Sequence, residues 1–293
     1  VLALAGKSGC GKTTLVKCIY GLEDLQAGEV KIDDELVTGP AYNLIPGHKD
    51  MSLVSQDFYV LDNHTVTENI TDKLIGYTDE YKQKRASQLL KLLELNHLKD
   101  TKARFLSSGQ KQRVAIARAL TIIPKLLLLD EPFSNLDKLL TDKLFAFINK
   151  EVKRNHTSVI LVTHAAEEAI KYADRIAIMD DGRITQMGEK WKVYYQPKNT
   201  KLAGLLGDYN IIRKEDLEKN SRVKIRSKII LRPDKIKLSE GKNSARLTLT
   251  ISNCTYNGKC FELLGETKNG HTVIFYSSKE IREGKEIITY IES

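Results

Sequence analysis

Long apolar runs are missing from this 293-residue chain: the longest, such as Leu126-Leu127-Leu128-Leu129, are strand-sized, far short of the ~18–20 residues that a bilayer-spanning helix needs. Cysteine is sparse too. Cys10, Cys18, Cys254 and Cys260 form neither a CxxC pair nor a zinc-ligand spacing, which suggests four ordinary thiols in a reduced compartment. The opening Val1-Leu2-Ala3-Leu4 has no basic n-region, so nothing reads as a secretory signal. Repeats and low-complexity segments are also absent. A concentrated block of positive charge is lacking, although the formal charge is +8, and +5 of it falls between Gly207 and Ser293, where 17 basic residues face 12 acidic ones. That tail is basic without being an arm. With 41% hydrophobic residues, the chain can bury a core of the size expected for two ordinary domains.

Up to about residue 205, strand-like apolar runs alternate with amphipathic helical segments, the pattern of an α/β domain with a mostly parallel sheet. Val1 to Ala5 reads as a short buried strand, and Lys12 to Tyr20 as a helix after a glycine turn. Val159 to Val162 and Arg175 to Met179 read as strands separated by a helix over Ala165 to Tyr172, and Asp181-Gly182 reads as a hairpin turn into Arg183-Ile184-Thr185. Polar helices over about 57–105, with an apolar face from Leu89, Leu90, Leu92, Leu93 and Leu95, suggest an inserted helical subdomain. From about Asn210, a charged stretch, Arg213 to Arg226, suggests a linker. Short alternating runs with turns at Gly258, Gly265 and Gly270 then predict a small β-barrel or sandwich over 206–293.

Gly6-Lys7-Ser8-Gly9-Cys10-Gly11-Lys12-Thr13 matches GxxxxGK[ST] between a strand and a helix. Such a loop turns backbone N–H groups toward phosphate oxygens at a helix N-terminus, with Lys12 on the β- and γ-phosphates and the Thr13 hydroxyl on Mg²⁺. The competing reading is a glycine turn that matches by chance. Leu126 to Asp130, followed by Glu131, has the form of a buried strand whose carboxylates reach a ligand crevice. There Asp130 would hold the metal and Glu131 would deprotonate a water, although an acidic strand end is by itself more often a helix cap. In Leu106-Ser107-Ser108-Gly109-Gln110-Lys111-Gln112-Arg113, Ser107 and the amides around Gly109 would open a helix of small residues, and alone this is an ordinary cap.

Taken together, these segments resemble the ATP-binding cassette (ABC) ATPases, with the Ser107 segment as their signature motif. Gln56 resembles the family's glutamine-loop residue, Ser134-Asn135-Leu136-Asp137 the loop that crosses to the partner subunit, and His164 the switch histidine. The resemblance covers about residues 1–205 and implies a P-loop NTPase fold working as a head-to-tail homodimer. Gly6, Lys7, Ser8, Gly9, Cys10, Gly11, Lys12, Thr13 and Thr14 would hold one ATP in cis, with Gln56, Glu131 and His164 as catalytic groups and Thr13, Gln56 and Asp130 on Mg²⁺. Ser107, Gly109 and Gln110 would reach the partner's nucleotide in trans. Ser108 stands where the family usually has glycine, which would carry a cost if that backbone needs φ > 0. The upstream strands and the aromatic residue that stacks on adenine are expected to precede Val1.

Ile230-Leu231-Arg232-Pro233-Asp234-Lys235-Ile236, with the stretch from Gly188 to Asn210, more loosely resembles the barrel appended to import-type ABC ATPases, the transport-associated OB (TOBE) domain. Such barrels can also bind nucleic acid. Tyr256, Phe261, Phe275 and Tyr276, however, are not interleaved regularly with Lys or Arg, so no nucleic acid is expected. The resemblance implies an importer ATPase attached peripherally to the cytoplasmic face of the inner membrane. Its partners would be integral membrane permease subunits docked near Gln56 to Arg104 and, indirectly, an extracytoplasmic solute-binding protein. A soluble ABC protein acting on ribosomes or DNA is the alternative, but it would usually carry a second cassette or a coiled coil. A purely regulatory module would be expected to lack Glu131 or His164.

Overall fold

Strands that are apolar along most of their length need cover on both faces, and the first two-thirds of this protein is organised around five of them. The computed structural model describes residues 1–218, 227–241 and 244–292, and divides into two compact units, Val1–Lys190 and Trp191–Ser293. The first unit runs β1 (Leu2–Ala5), α1 (Lys12–Tyr20), the small hairpin β2 (Lys31–Ile32) and β3 (Glu35–Leu36), then β4 (Met51–Val54). The helical insert follows as α2 (Val66–Thr71), α3 (Asp79–Leu92) and α4 (Ser108–Thr121). It returns through β5 (Leu126–Asp130), α5 (Lys138–Asn155), β6 (Ser158–Thr163), α6 (Ala166–Tyr172), β7 (Arg175–Asp180) and β8 (Arg183–Glu189).

The sheet order is β4-β5-β6-β1-β7-β8, parallel except for β8. That one reversal follows from Asp181 and Gly182, whose φ values of 45° and 74° give the tight turn expected of an Asp-Gly pair. One apolar core lies under the helical insert and α5, joining Leu89, Leu93, Ile116, Leu127, Leu144 and Leu161. A second packs α1 on the sheet through Val16, Met51, Leu128 and Val162. α4 belongs to both the insert and the sheet layer. Its C-terminal carbonyls at Leu120 and Thr121, which no intrahelical donor can reach, accept from the buried Arg85 guanidinium of α3. No helix among the described residues is long and apolar enough to cross a membrane.

The second unit opens within a short helix, α7 (Lys190–Tyr195), and continues through α8 (Thr200–Leu205), β9 (Asn210–Arg213) and β10 (Lys228–Leu231). It continues as β11 (Ile236–Lys237), β12 (Ser244–Tyr256), β13 (Phe261–Glu266), β14 (Thr272–Ser277) and β15 (Glu286–Glu292). The five-stranded antiparallel sheet has the order β11-β15-β12-β13-β14, and its edge strands β11 and β14 approach each other, curling it toward a barrel. Alternation along β12 sends Ala245, Leu247, Leu249 and Ile251 into the core beside Leu263 and Phe275. The division at Lys190 comes earlier than the boundary at residue 205 expected from sequence. The reason is Arg232, which is buried and donates to the carbonyls of Tyr194 (3.0 Å), Gly207 (2.8 Å) and Asp208 (2.9 Å), tying that stretch to the second unit. The expected linker over Arg213 to Arg226 lies, from residue 219 on, outside the described residues.

Two polar side chains lock this unit. Asn210 mimics a strand at the edge of β14, its amide pairing with both the carbonyl and the N–H of Ile274 at 2.7 Å. The Asp216 carboxylate is buried. Burial alone would raise its pKa, but hydrogen bonds from Asn269, His271, the Arg213 backbone and Thr267 outweigh that and hold it below the usual carboxylate range. A carboxyl depressed in the folded state stabilises fully above its unfolded pKa of about 3.9, and that support is lost as pH falls through the lower folded value. Asn210→Ala is expected to cost about 1–3 kcal/mol by leaving two backbone groups of β14 unpaired. Calorimetry should show the second unit's transition moving down while that of the first unit stays unchanged.

Candidate functional site

The C-terminal ends of β1, β5 and β6 lie side by side, because Ala5 pairs with Thr163 and Asp130 with Val162. The turn after β1 is shaped by its glycines. A Cβ at Gly6 would sit 2.3 Å from the Met179 carbonyl oxygen, and Gly11, the N-cap of α1, has φ 99°. Gly11 offers no side-chain acceptor, so no side chain caps the N-terminus of α1. Lys12 is 5% exposed, and its ammonium donates to the Gly6 carbonyl at 2.9 Å and the Lys7 carbonyl at 2.8 Å, which holds it under the loop.

A cleft of about 440 Å³ opens over this loop, lined by Ser8, Gly9, Gly11, Lys12, Thr13 and Thr14 together with Gln56, Glu131 and His164. Four separate segments of sequence therefore meet there. Gly6, Lys7 and Cys10 do not line it. Gly6 and Lys7 supply carbonyls to Lys12, and the Cys10 side chain is buried against the second core, so any phosphate contact at Cys10 would come from its backbone.

Asp130 lies behind Thr13 and is 2% exposed. Burial raises its pKa, partly offset by the hydrogen bond from Thr13 and by Lys12 and Lys17, while neighbouring Glu131 raises it further. Its Oδ1 is buried with no hydrogen-bond partner. An orphaned carboxylate oxygen beside a hydroxyl, next to an uncapped helix N-terminus, fits a hard cation held against phosphate. Glu131 leaves the strand in left-handed backbone, φ 49°, its N–H donating to the Val162 carbonyl at 3.1 Å. Its Oε1 lies 3.3 Å from Nδ1 of the exposed His164. His164 is set in turn by Thr163, whose hydroxyl donates to Glu168 and accepts from the Ala165 N–H at 3.0 Å.

Ser107, Gly109 and Gln110 stand apart from this cleft, at the N-terminus of α4. Ser107 caps the helix in a reciprocal box with Gln110: the Gln110 N–H donates to Ser107 Oγ at 3.3 Å and the Ser107 N–H to Gln110 Oε1 at 2.9 Å. Ser108 is the first helical residue and is not among the positive-φ positions, so the backbone cost considered for a non-glycine there does not arise. Two buried amides escaped the sequence reading. Asn69 holds the segment after Gln56 to the insert by bonding Leu61, His64 and Thr65, and accepts from Arg118 at 2.8 Å. Gln112 bonds the Pro132 carbonyl at 2.7 Å. The only available signal was a polar side chain on the buried face of an amphipathic helix.

A family model described as ABC transporter matches residues 1–134. The spermidine/putrescine import ATP-binding protein PotA of Thermotoga maritima is 34% identical over 272 residues, 85% of this chain and 73% of that protein. The glucose import ATP-binding protein GlcV of Saccharolobus solfataricus is 31% identical over 309 aligned positions, covering 98% of this chain and 87% of that one. The maltose/maltodextrin import ATP-binding protein MalK of Mannheimia succiniciproducens is 36% identical over 208 residues, 70% of this chain and 55% of its own length. Among solved structures, the dimeric post-hydrolysis form of the ATP-binding cassette MJ0796 bound to ADP and Pi is similar with a TM-score of 0.56 at 30% identity. It covers 64% of this chain and 84% of that one. The chain belongs to the ABC transporter family and is one of its ATP-binding subunits.

Lys12→Ala removes the cation under the phosphate loop and frees the two carbonyls it satisfies. A charge-assisted contact of this kind is worth about 1.5–3 kcal/mol, so nucleotide affinity is expected to fall by about ten- to a hundredfold or more. Titration with a fluorescent ATP analogue checks this, and unchanged affinity would mean the loop does not carry the phosphates.

Proposed function

We propose that the chain is the ATP-hydrolysing subunit of an ABC importer, acting as a head-to-tail homodimer on the cytoplasmic face of the membrane. The observation that carries the chemistry is the convergence of Lys12, Thr13, Gln56, Glu131 and His164 on one cleft. Glu131 is the general base: its carboxylate lines the cleft and can take a proton from a water held over the phosphate loop, a role worth about 10²–10⁴ in rate. His164, 3.3 Å from Glu131 Oε1, keeps that carboxylate turned toward the cleft and presents its other ring nitrogen to the γ-phosphate. Lys12 and the loop amides neutralise and orient the phosphates. Thr13, Asp130 and Gln56 would hold Mg²⁺, which when bound withdraws charge from the phosphate oxygens. Ser107, Gly109 and Gln110 serve the nucleotide of the partner subunit, a division of labour supported by their absence from the chain's own cleft and by the dimeric MJ0796 cassette.

The import assignment is supported by PotA, GlcV and MalK, all import ATP-binding proteins, and by a groove of about 550 Å³ between sheet and helical insert. Tyr20, Ile45, Leu53, Tyr59 and Arg118 line it, and the neighbouring Leu44 is 98% exposed. A permease's cytoplasmic loop seated there would lie next to Ser55 and Gln56, so its position and the state of the cleft would be linked. The extracytoplasmic solute-binding protein would act through that permease.

Glu131→Gln is expected to retain ATP binding, lose all but about a hundredth or less of turnover, and accumulate as dimer. Undiminished hydrolysis would refute the base assignment. Purified from native membranes in Mg-ATP, the same variant is expected to carry a multi-spanning permease. Recovery of ribosomes or DNA with no membrane protein would overturn the transport reading and leave the ATPase chemistry standing.

A further inference from the structure

Gln112 sits one turn into α4, fully buried beside Val114, Ile116 and Ala117. Its Nε2 donates to the Pro132 carbonyl at 2.7 Å and lies 3.4 Å from Ser134 Oγ, while its Oε1 has no partner at all. The Pro132 carbonyl can only accept, so it dictates which way the amide points. A buried acceptor left without a donor is a cost, and an unbranched apolar side chain of similar length would fill the same space while orphaning the Pro132 carbonyl in its place, so the amide brings no net gain in satisfied groups. Packing therefore does not explain a glutamine here.

What the amide does is join two functional segments. The first turn of α4 carries Ser107, Gly109 and Gln110. The segment from Glu131 to Asp137 is anchored at one end by the Glu131 N–H on the Val162 carbonyl, and at the other by Asp137, which caps α5 through the Leu140 N–H at 2.9 Å. Between those anchors Gln112 bonds the carbonyl of Pro132, the residue immediately after Glu131, and Gly109 packs near Asn135, where a Cβ would lie 3.6 Å from the carbonyl oxygen. Glu131 itself stands in left-handed backbone, a conformation that persists for a non-glycine residue only when its surroundings hold it.

We infer that Gln112 is a positioning residue that couples engagement of the signature turn to the setting of Glu131. It fixes the Pro132 peptide, and through it the backbone of Glu131, relative to the start of α4. A shift of that first turn on meeting the partner's nucleotide is passed through the 2.7 Å bond to the residue that activates water in its own cleft. Each ATP in the dimer thereby reports to the opposite base, a coupling that has to be reciprocal. The inference rests on the roles proposed above for Glu131 and for Ser107 to Gln110.

The test is Gln112→Met in the intact ATPase subunit, with Gln112→His alongside, because the imidazole Nε2 reaches about as far as the glutamine amide and can donate to the same carbonyl. Turnover of the methionine variant is expected to fall at least about tenfold, as for a lost general-base alignment, with ATP affinity within twofold and the Hill coefficient for ATP reduced toward one. Its melting temperature should stay within about 3 °C of wild type, since one orphaned acceptor is exchanged for another. The histidine variant should recover much of the turnover and cooperativity. Wild-type turnover and cooperativity in the methionine variant overturn the inference, and so does a methionine variant that unfolds, because a fold-bearing glutamine is a structural one. Glu131→Gln in the same assay separates the two readings. If it is inactive while Gln112→Met is normal, only the coupling fails. If it is active, the reading of the site fails first.

Discussion

Parallel pairing of β5, β6 and β1 is the constraint on which the rest of this ATPase depends. Because the three strands end at one level, each following turn is delivered to the same edge of the sheet, the place where open α/β sheets bind ligands. The phosphate loop, the Asp130-Glu131 pair and His164 are more than thirty residues apart in sequence, yet backbone hydrogen bonds alone set their relative heights. Strand geometry divides the labour as well. Asp130 is the last strand residue and is buried toward Thr13, while Glu131, one step further and in left-handed backbone, opens into the cleft beside His164.

That edge is an expensive arrangement. Asp130 keeps a buried oxygen unpaired, Lys12 turns its charge onto two neutral carbonyls, Glu131 adopts an unfavourable φ, and the N-terminus of α1 has no side-chain cap. The unpaired oxygen, the buried ammonium and the open helix end are all groups that an anion accompanied by a hard cation would satisfy, whereas the Glu131 backbone is held by its surroundings. The two apolar cores flanking the sheet supply the stability that lets the site stay unsatisfied.

What could be read from sequence follows from how local the physics is. A glycine-rich turn between strand and helix, an apolar run ending in carboxylates and an Asp-Gly hairpin are each specified within a few neighbouring residues, and the structure forms all three. Asn69, Gln112 and Asn210 are different. Each acts by bonding the backbone or side chain of a segment remote in the chain, Arg118, Pro132 and Ile274 respectively, and in sequence an amide with that role looks like any other polar residue. The same holds for the stretch after Lys190, whose packing with the second unit shows only in the long-range bonds of Arg232 to Tyr194, Gly207 and Asp208.

The signature turn shows how one set of residues can cap a helix and still have something to offer a phosphate. Ser107 Oγ accepts from the Gln110 N–H, but a hydroxyl also carries a proton to donate, and Gln110 spends only its Oε1 on the Ser107 N–H, leaving its amide NH₂ group. Gly109 is not required by this chain's own packing, because a Cβ there would meet Asn135 at an ordinary 3.6 Å in helical backbone. Without a side chain at Gly109 the surface there stays low, which suits the proposed approach of a nucleotide from the partner subunit. Ser108, beside it in ordinary helical geometry, adds a second hydroxyl to that surface without strain. The turn is thus complete as a cap and open as a donor surface, which is the condition for serving a nucleotide bound to another subunit.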